Sequence, residues 1–304
     1  MPVSKKLIRN TLLSWETQED NISCSYKEEP IDFKIRFLHC HDGYEVLMMK
    51  HGNVDMQIED RMISLNPGDI VLIPPYVFHF ARQQSTDTYC RVVLNIKETL
   101  IQSLIASDES YRHITDSFYQ TPDYHIHVNG STLRQLMDLA RALEAVSGSN
   151  TDFYGTDIMS RSLLSIILVI LSRQSAAANS SPVFPRTQAP SMPEVVRNVI
   201  HYVDQNLSGD LSVSGIAESV HLNSVYLTRL FRQYSGLSLQ QYIIEKRLAE
   251  AKRMLRNGQS PTDVCYACGF NNYSNFSRTF TNHVKLSPRQ YQENSRAQFT
   301  PVRG

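Results

Sequence analysis

Residues 37–46 read FLHCHDGYEV. The imidazoles of His39 and His41 and the carboxylate of Glu45 are donor types that suit a divalent transition metal such as Zn, Fe, Mn or Ni. The same groups hydrogen-bond to hydroxylated small molecules. Side chains alternate along a strand, so His39 and His41 share a side. Glu45 joins them if the strand continues past Gly43. A third imidazole, His79, follows the Pro74-Pro75 turn. Arg36 and Tyr44 neighbour the group and offer contacts to an effector carboxylate or hydroxyl. Three readings of the cluster stay open: it recognises an effector, it holds a metal, or its histidines are satisfied by backbone groups alone. His125 and His127 share a strand face as well, but no carboxylate lies near them in sequence. Trp15, the single tryptophan, either stacks over a pocket or packs ordinarily.

A second chemistry sits near the C-terminus. LTRLFRQYSGLSLQQY (227–242) aligns with FSRTFTNHVKLSPRQY (276–291), and IAESVHLN (216–223) aligns with VCYACGFN (264–271). Each copy reads as short helix, turn, second helix. Leu227, Leu230 and Phe231 anchor the second helix of the first copy, and Val225, Thr228, Arg229 and Arg232 are left on other faces. Phe276 and Phe280 anchor its counterpart, leaving Ser274, Asn275, Ser277 and Arg278 outward. A helix-turn-helix places such a helix in a DNA major groove. Arginine there pairs with guanine, and Ser, Thr and Asn reach other base edges or phosphates. Residues 238–258 read as one long helix joining the copies. Lys246, Arg247, Lys252, Arg253 and Arg256 cluster along it as candidates for phosphate contacts.

These groups need scaffolds. Segments FKIRFLH, EVLMMK, VDMQI, RMISL, DIVLIP and YCRVVLNI within residues 31–96 read as short strands separated by turns, the pattern of a sandwich or small barrel. Leu133, Leu136, Ala140 and Leu143 mark one helical stripe, and 156–173 reads as a helix apolar on most sides, whose greasiest run, 162–172, is too short to span a bilayer. The Ala-, Ser- and Pro-rich residues 174–193 read as a linker. Beyond it the expected helix starts are Ser191 with Glu194, Ser238 with Gln241, Ser260, and Ser287 with Gln290. Cys265 and Cys268 form a C-x-x-C with no second pair, which favours packing over zinc or redox chemistry.

With 41% hydrophobic and 20% charged residues, the chain has the composition of an ordinary globular protein. Its five cysteines, an odd number, read as reduced thiols in a cytoplasm, and no signal-peptide pattern opens the sequence. Net charge is zero but unevenly spread: residues 194–304 hold 13 Lys and Arg against 8 Asp and Glu. That bias hints at a polyanion partner for one half only.

The stretches IAESVHLNSVYLTRLFRQYSGLS, RLAEAKRML and CGFNNYSNFSRTF with LSPRQY resemble the DNA-binding domain of the AraC/XylS family of bacterial transcription regulators. By that resemblance Val225, Thr228 and Arg229 fall at base-reading positions of the first unit, and Ser274, Asn275 and Arg278 at or beside those of the second. Two departures stand out: Lys285 where the first copy has Gly236, and Cys265 where a small Ala is expected. The H-x-H-x3-E spacing, the Pro-Gly-Asp turn and P-P-x3-H resemble a cupin barrel, whose metal-binding members use three His and one Glu as ligands. Tyr76 stands where that pattern wants Gly, and Gln83 where it wants Asn.

The expected architecture is therefore α+β: a cupin-like β-barrel (1–130), a helical dimerisation segment (131–173), a linker (174–193) and an all-α domain with two helix-turn-helix units (194–304). The resemblance implies a non-enzymatic regulator, more often an activator than a repressor. It would respond to a sugar or related metabolite held by Arg36, His39, His41, Tyr44, Glu45 and His79. The implied partners are double-stranded DNA, a second copy of the chain and, for an activator, RNA polymerase, with no membrane. No cofactor is required, although His39, His41, Glu45 and His79 would suit a divalent metal. The alternative is a metal-binding cupin sensor or enzyme tethered to DNA.

Overall fold

A computed structural model of the chain describes residues 21–30, 37–83, 88–147, 154–179 and 192–297. Trp15, Arg36 and Ser191 lie outside the described residues. The N-terminal part is built from two antiparallel sheets. One has the order β1 (Ile22–Pro30), β7 (Thr88–Lys97), β2 (Gly43–His51), β5 (Asp69–Ile73), β8 (His125–His127). The other runs β4 (Arg61–Leu65), β3 (Val54–Ile58), β6 (His79–Gln83).

Alternation along β2 decides what faces what. Leu47 and Met49 point into the barrel, against Val54, Met56, Ile58, Val71, Ile73 and Tyr89. Tyr44, Val46 and Met48 point the other way, onto helices. These helices are α1 (Glu98–Ser107), α2 (Ser110–Gln120), α3 (Gly130–Ser147) and α4 (Thr156–Asn179). Neither α1 nor α2 was expected, and neither was β1; β8 is the strand on which His125 and His127 were expected. The expected strand FKIRFLH lies mostly outside the described residues; its end contributes a single bridge, His39 with His79.

The apolar stripe of α3 is used within the chain. Leu136, Ala140 and Leu143 pack with Leu164, Ile167, Leu168 and Leu171 of α4 against the sheet. Helix α4 continues to Asn179, into the segment read as linker. Among the described residues it is the one helix long and apolar enough to cross a membrane by composition. Its buried side belongs to the core just described.

The C-terminal helices are α5 (Glu194–Gln205), α6 (Val213–Ser219), α7 (Ser224–Ser235), α8 (Leu239–Arg256), α9 (Pro261–Ala267), α10 (Tyr273–Val284) and α11 (Pro288–Ala297). Their starts are capped as local sequence dictates. Asn223 accepts from Val225 and Tyr226 amides, Asn272 from Asn275, and Ser260 from Asp263. Ser238 and Gln241 form a capping box, and Ser287 and Gln290 bond reciprocally. Helix α5 instead starts at Pro193 with no side-chain cap.

The two reading units have separate cores. Ile216, Ala217, Leu227 and Phe231 pack on α5, while Val264, Cys265, Phe276 and Phe280 pack on Leu248 and Leu255 of α8. Cys265 and Cys268 are free, buried thiols, and burial pushes the Cys268 pKa up to about 12. Lys285 adopts the same left-handed geometry as Gly236, φ 66° against 73°, and closes its helix with the same amide bond at 2.9 Å. This departure from the first copy leaves the helix end just as tightly closed; the difference is backbone strain, since a Cβ disfavours this region.

Candidate functional site

Alternation also positions the barrel cluster. From Leu38 to His41 and from Tyr76 to Phe80, successive side chains point to opposite sides. His41 and His79 turn inward beside Glu45 of β2, and all three are buried. One ligating atom from each lies within 4.8 Å of the other two. His41 Nε2 is 3.0 Å from Glu45 Oε2, and His79 Nε2 is 3.6 Å from the same oxygen. His39 flanks this trio, its ring 4.4 Å from that of His79, and is not one of the compact group. The expected four-ligand set is thus three converging groups plus a neighbour.

Backbone carbonyls orient the rings. Nδ1 of His39 meets the Phe37 carbonyl at 3.1 Å, that of His41 meets Gly43 at 2.9 Å, and that of His79 meets Val77 at 3.0 Å. A carbonyl only accepts, so Nδ1 carries a proton in each ring. In a neutral ring the lone pair is then on Nε2. His79 Nε2 is buried with no hydrogen-bond partner. His41 faces acceptors at both nitrogens and is therefore an imidazolium in the absence of another cation. Burial alone would lower the His41 pKa, but the hydrogen bond and charge of Glu45 outweigh it and raise it. Burial would raise the Glu45 pKa, but the charge of His79 and the bond from His41 hold it well below the carboxylate range. His39, half-buried by surface yet enclosed by its neighbours, is pushed down to about 3 by desolvation and by His79. Glu45 and, in a neutral ring, His79 Nε2 are the acceptors of the site, and His41 would join them only where a cation takes the place of its Nε2 proton.

Two expectations change here. Tyr44 does not join the cluster, because it is one residue from Glu45 and therefore on the opposite face, edge-on to Phe118 at 4.9 Å. His125 and His127 do have a carboxylate: Asp69, the last residue of the Pro-Gly-Asp turn, lies 3.0 Å from His125 Nε2 and 2.8 Å from His127 Nδ1. Burial would raise the Asp69 pKa, but the nearby His125 ring and the Asn66 amide lower it. Sequence distance hid this pair; antiparallel pairing of β5 with β8 makes it.

In the helical domain the candidate DNA-reading residues are at the surface. Val225 is 77% exposed, and Arg229, Arg232, Ser274, Asn275 and Arg278 are exposed. Thr228 and Ser277 are half-buried, and Thr228 donates to the Ser224 carbonyl. Arg278 reaches the Asn275 side chain at 3.3 Å.

The basic residues of α8 are placed differently from expectation. Lys246 bonds Glu59 of the β3–β4 turn at 2.7 Å and Asp204 of α5 at 2.9 Å. Arg256 holds the carboxylates of Asp42 and Glu98 and lies over the Tyr76 ring. Arg247 donates to the Leu207 and Gly209 carbonyls, and Arg253 pairs with Glu250. Lys246 and Arg256 are thus committed to the barrel rather than presented to phosphates.

Comparison with known proteins follows the same division. A family model described as "AraC-like ligand binding domain" matches residues 26–174, and one described as "Helix-turn-helix domain" matches 216–294. The HTH-type transcriptional activator RhaS of Salmonella schwarzengrund is 24% identical over 257 residues, spanning 84% of this chain and 87% of that one. Among solved structures, ToxT of Vibrio cholerae is 12% identical, covering 90% of this chain and 98% of that one, with a TM-score of 0.33. An AraC-type regulator from Chromobacterium violaceum is 29% identical, covering 36% of this chain and 95% of its own, with a TM-score of 0.32.

Proposed function

The chain belongs to the AraC family of DNA-binding transcription regulators with an N-terminal ligand-binding domain, and from that membership we propose that it activates transcription in response to a small molecule held at the His41–Glu45–His79 cluster. The observation that carries the reading is the convergence of buried acceptors in the barrel of a chain that also exposes two DNA-reading helices. Hydroxyl groups of a sugar or related metabolite are donors that such acceptors take. The barrel then serves recognition rather than turnover. A bacterial regulator of this kind works in the cytoplasm, pairs with a second copy to engage repeated half-sites, and contacts RNA polymerase.

The test is promoter binding by the full chain. Arg229→Ala and Arg278→Ala each weaken specific binding by about 1–3 kcal/mol and relax sequence preference where the arginine reads a base. Unchanged affinity in both variants would defeat the assignment of these helices.

A second reading has its own support. His79 Nε2 is orphaned, and each ring is anchored through Nδ1 to a carbonyl, as metal-ligating histidines are. The barrel interior around the site is filled by Leu47, Met49, Met56 and Tyr89, which favours a small occupant. His41, Glu45 and His79 would hold a divalent ion, leaving positions open for a ligand's oxygens.

A further inference from the structure

The segments that carry the histidines have a second face. His39, His41 and His79 point into the barrel, whereas Leu38, Cys40, Tyr76, Phe78 and Phe80 point out of it. These outward residues are part of the core of the first DNA-reading unit, with Val196, Val199, Leu227, Phe231 and Tyr242. The Leu38 amide donates to the Ser235 carbonyl at the end of α7, at 2.7 Å. His39 and His79 exchange backbone bonds at 3.1 and 2.8 Å, and the Tyr76 amide bonds the His41 carbonyl at 2.9 Å. The wall between the barrel cluster and the DNA-binding unit is therefore one backbone layer thick.

Two ion-pair clusters fasten the same layer to α8. At one, Glu59 accepts from the Phe78 amide at 3.0 Å with one oxygen and from Lys246 with the other. Lys246 lies 4.9 Å over the Phe78 ring and also holds Asp204 of the first unit. At the other, Arg256 binds the Asp42 side chain and carbonyl, Glu98, and the faces of Tyr76 and Tyr291. Tyr291 belongs to the second unit. Burial disfavours these charges, so each cluster holds only as a complete set. Lys246 and Arg256 stand ten residues apart, about 15 Å along the helix. Tyr76, the departure from the cupin pattern, takes positive φ (66°) and supplies the ring under Arg256.

We infer that residues 38–42 and 76–80 are the element through which the barrel site and DNA binding are coupled, with Lys246 and Arg256 the points at which the barrel grips the joining helix near each reading unit. This rests on the regulator reading above. An occupant that moves His41 or His79 moves Asp42 and Phe78 with it, and those residues hold α8. Since α8 joins both units, the grip sets how their recognition helices stand relative to each other. Coupling is reciprocal: whatever the barrel does to DNA affinity, DNA does to the barrel.

Reciprocity allows a test with DNA as the probe. The full chain is incubated with and without a fragment carrying its site, selected from random sequence, and amide hydrogen exchange is followed. Slowed exchange is expected in α7 and α10, together with a change of about fivefold or more at 38–42 and 76–80. In Asp42→Asn/Glu98→Gln, and separately in Lys246→Met, protection persists at α7 and α10, but the response at 38–42 and 76–80 disappears. Wild-type barrel segments that exchange identically with and without DNA, while α7 and α10 are protected, overturn the coupling. Loss of protection at α7 and α10 themselves would instead count against the DNA-reading assignment. The wild-type comparison keeps the test sound if a variant fails to fold.

Discussion

At the scale of single residues, the barrel cluster turns on which ring nitrogen carries the proton. Three backbone carbonyls fix Nδ1 as the donor in His39, His41 and His79. That leaves Nε2 to face Glu45 in the trio, where it meets an effector's hydroxyl groups or, on the second reading, a divalent ion. On the metal reading, titration calorimetry of the full chain with Zn²⁺ gives one ion per chain. His79→Ala should weaken that binding by more than about a hundredfold, since even outer-shell losses cost 10–100-fold. His125→Ala should leave it unchanged, because Asp69 and its two histidines are a separate cluster. A chain that takes no ion but binds a hydroxylated metabolite would leave the hydrogen-bonding reading alone standing. That His41 and Glu45 share a face was legible from spacing, because strand parity is a local rule; His79 was placed with them only through the resemblance to a cupin barrel. The face of Tyr44 was legible by the same rule, but nearness in sequence obscured it. The role of Asp69 was not legible, because a strand pairing brings it to His127 across 58 residues.

At the scale of elements, helix starts were the most readable features. Asn223, Ser238, Ser260, Asn272 and Ser287 each cap a helix through bonds within three residues. Elements without such local signals were missed: α1 begins directly after β7 with no side-chain cap. The turns inside the two reading units show how position decides residue type. His221 and Gly269 occupy equivalent places and both take positive φ, 56° and 79°. At Gly269 an added Cβ would stand 2.5 Å from the Leu207 carbonyl oxygen. Gly269→Ala should therefore destabilise the second unit by more than about 2 kcal/mol, left-handed strain and collision together. Lys285→Gly should act in the opposite direction, stabilising by up to about 1 kcal/mol as strain is relieved against a more flexible unfolded chain. Chemical denaturation of both variants checks the pair, and equal signs would refute the argument.

At the scale of the whole molecule, α4 buries Leu164, Ile167, Leu168 and Leu171 while leaving Ile158, Met159 and Ile166 exposed. Sequence periodicity marked 156–173 as apolar on most sides, but could not separate the face used within the chain from the face left over. The stripe on α3 is consumed at home, so α4 is the better candidate for contact with a second copy. Sedimentation velocity should find a dimer that Ile158→Lys/Ile166→Lys converts to monomer with circular dichroism unchanged. A wild-type monomer at tens of micromolar, or a double variant that still dimerises, would move the contact elsewhere. The charge asymmetry between the two halves was legible early, but its use was not. Five excess positive charges suggested a polyanion, whereas two of the α8 cations are claimed by carboxylates of the acidic half.

The barrel takes hold of α8 and leaves the outward faces of α7 and α10 uncovered. On the proposed function, what the protein listens to and which address it reads are therefore carried by residues that do not touch. Val225, Arg229, Ser274 and Arg278 can drift during evolution, or be rewritten in the laboratory, to send the chain to a different promoter while the same signal still governs it. The reverse holds for the histidine cluster, so one scaffold can be re-addressed and re-tuned along two independent axes.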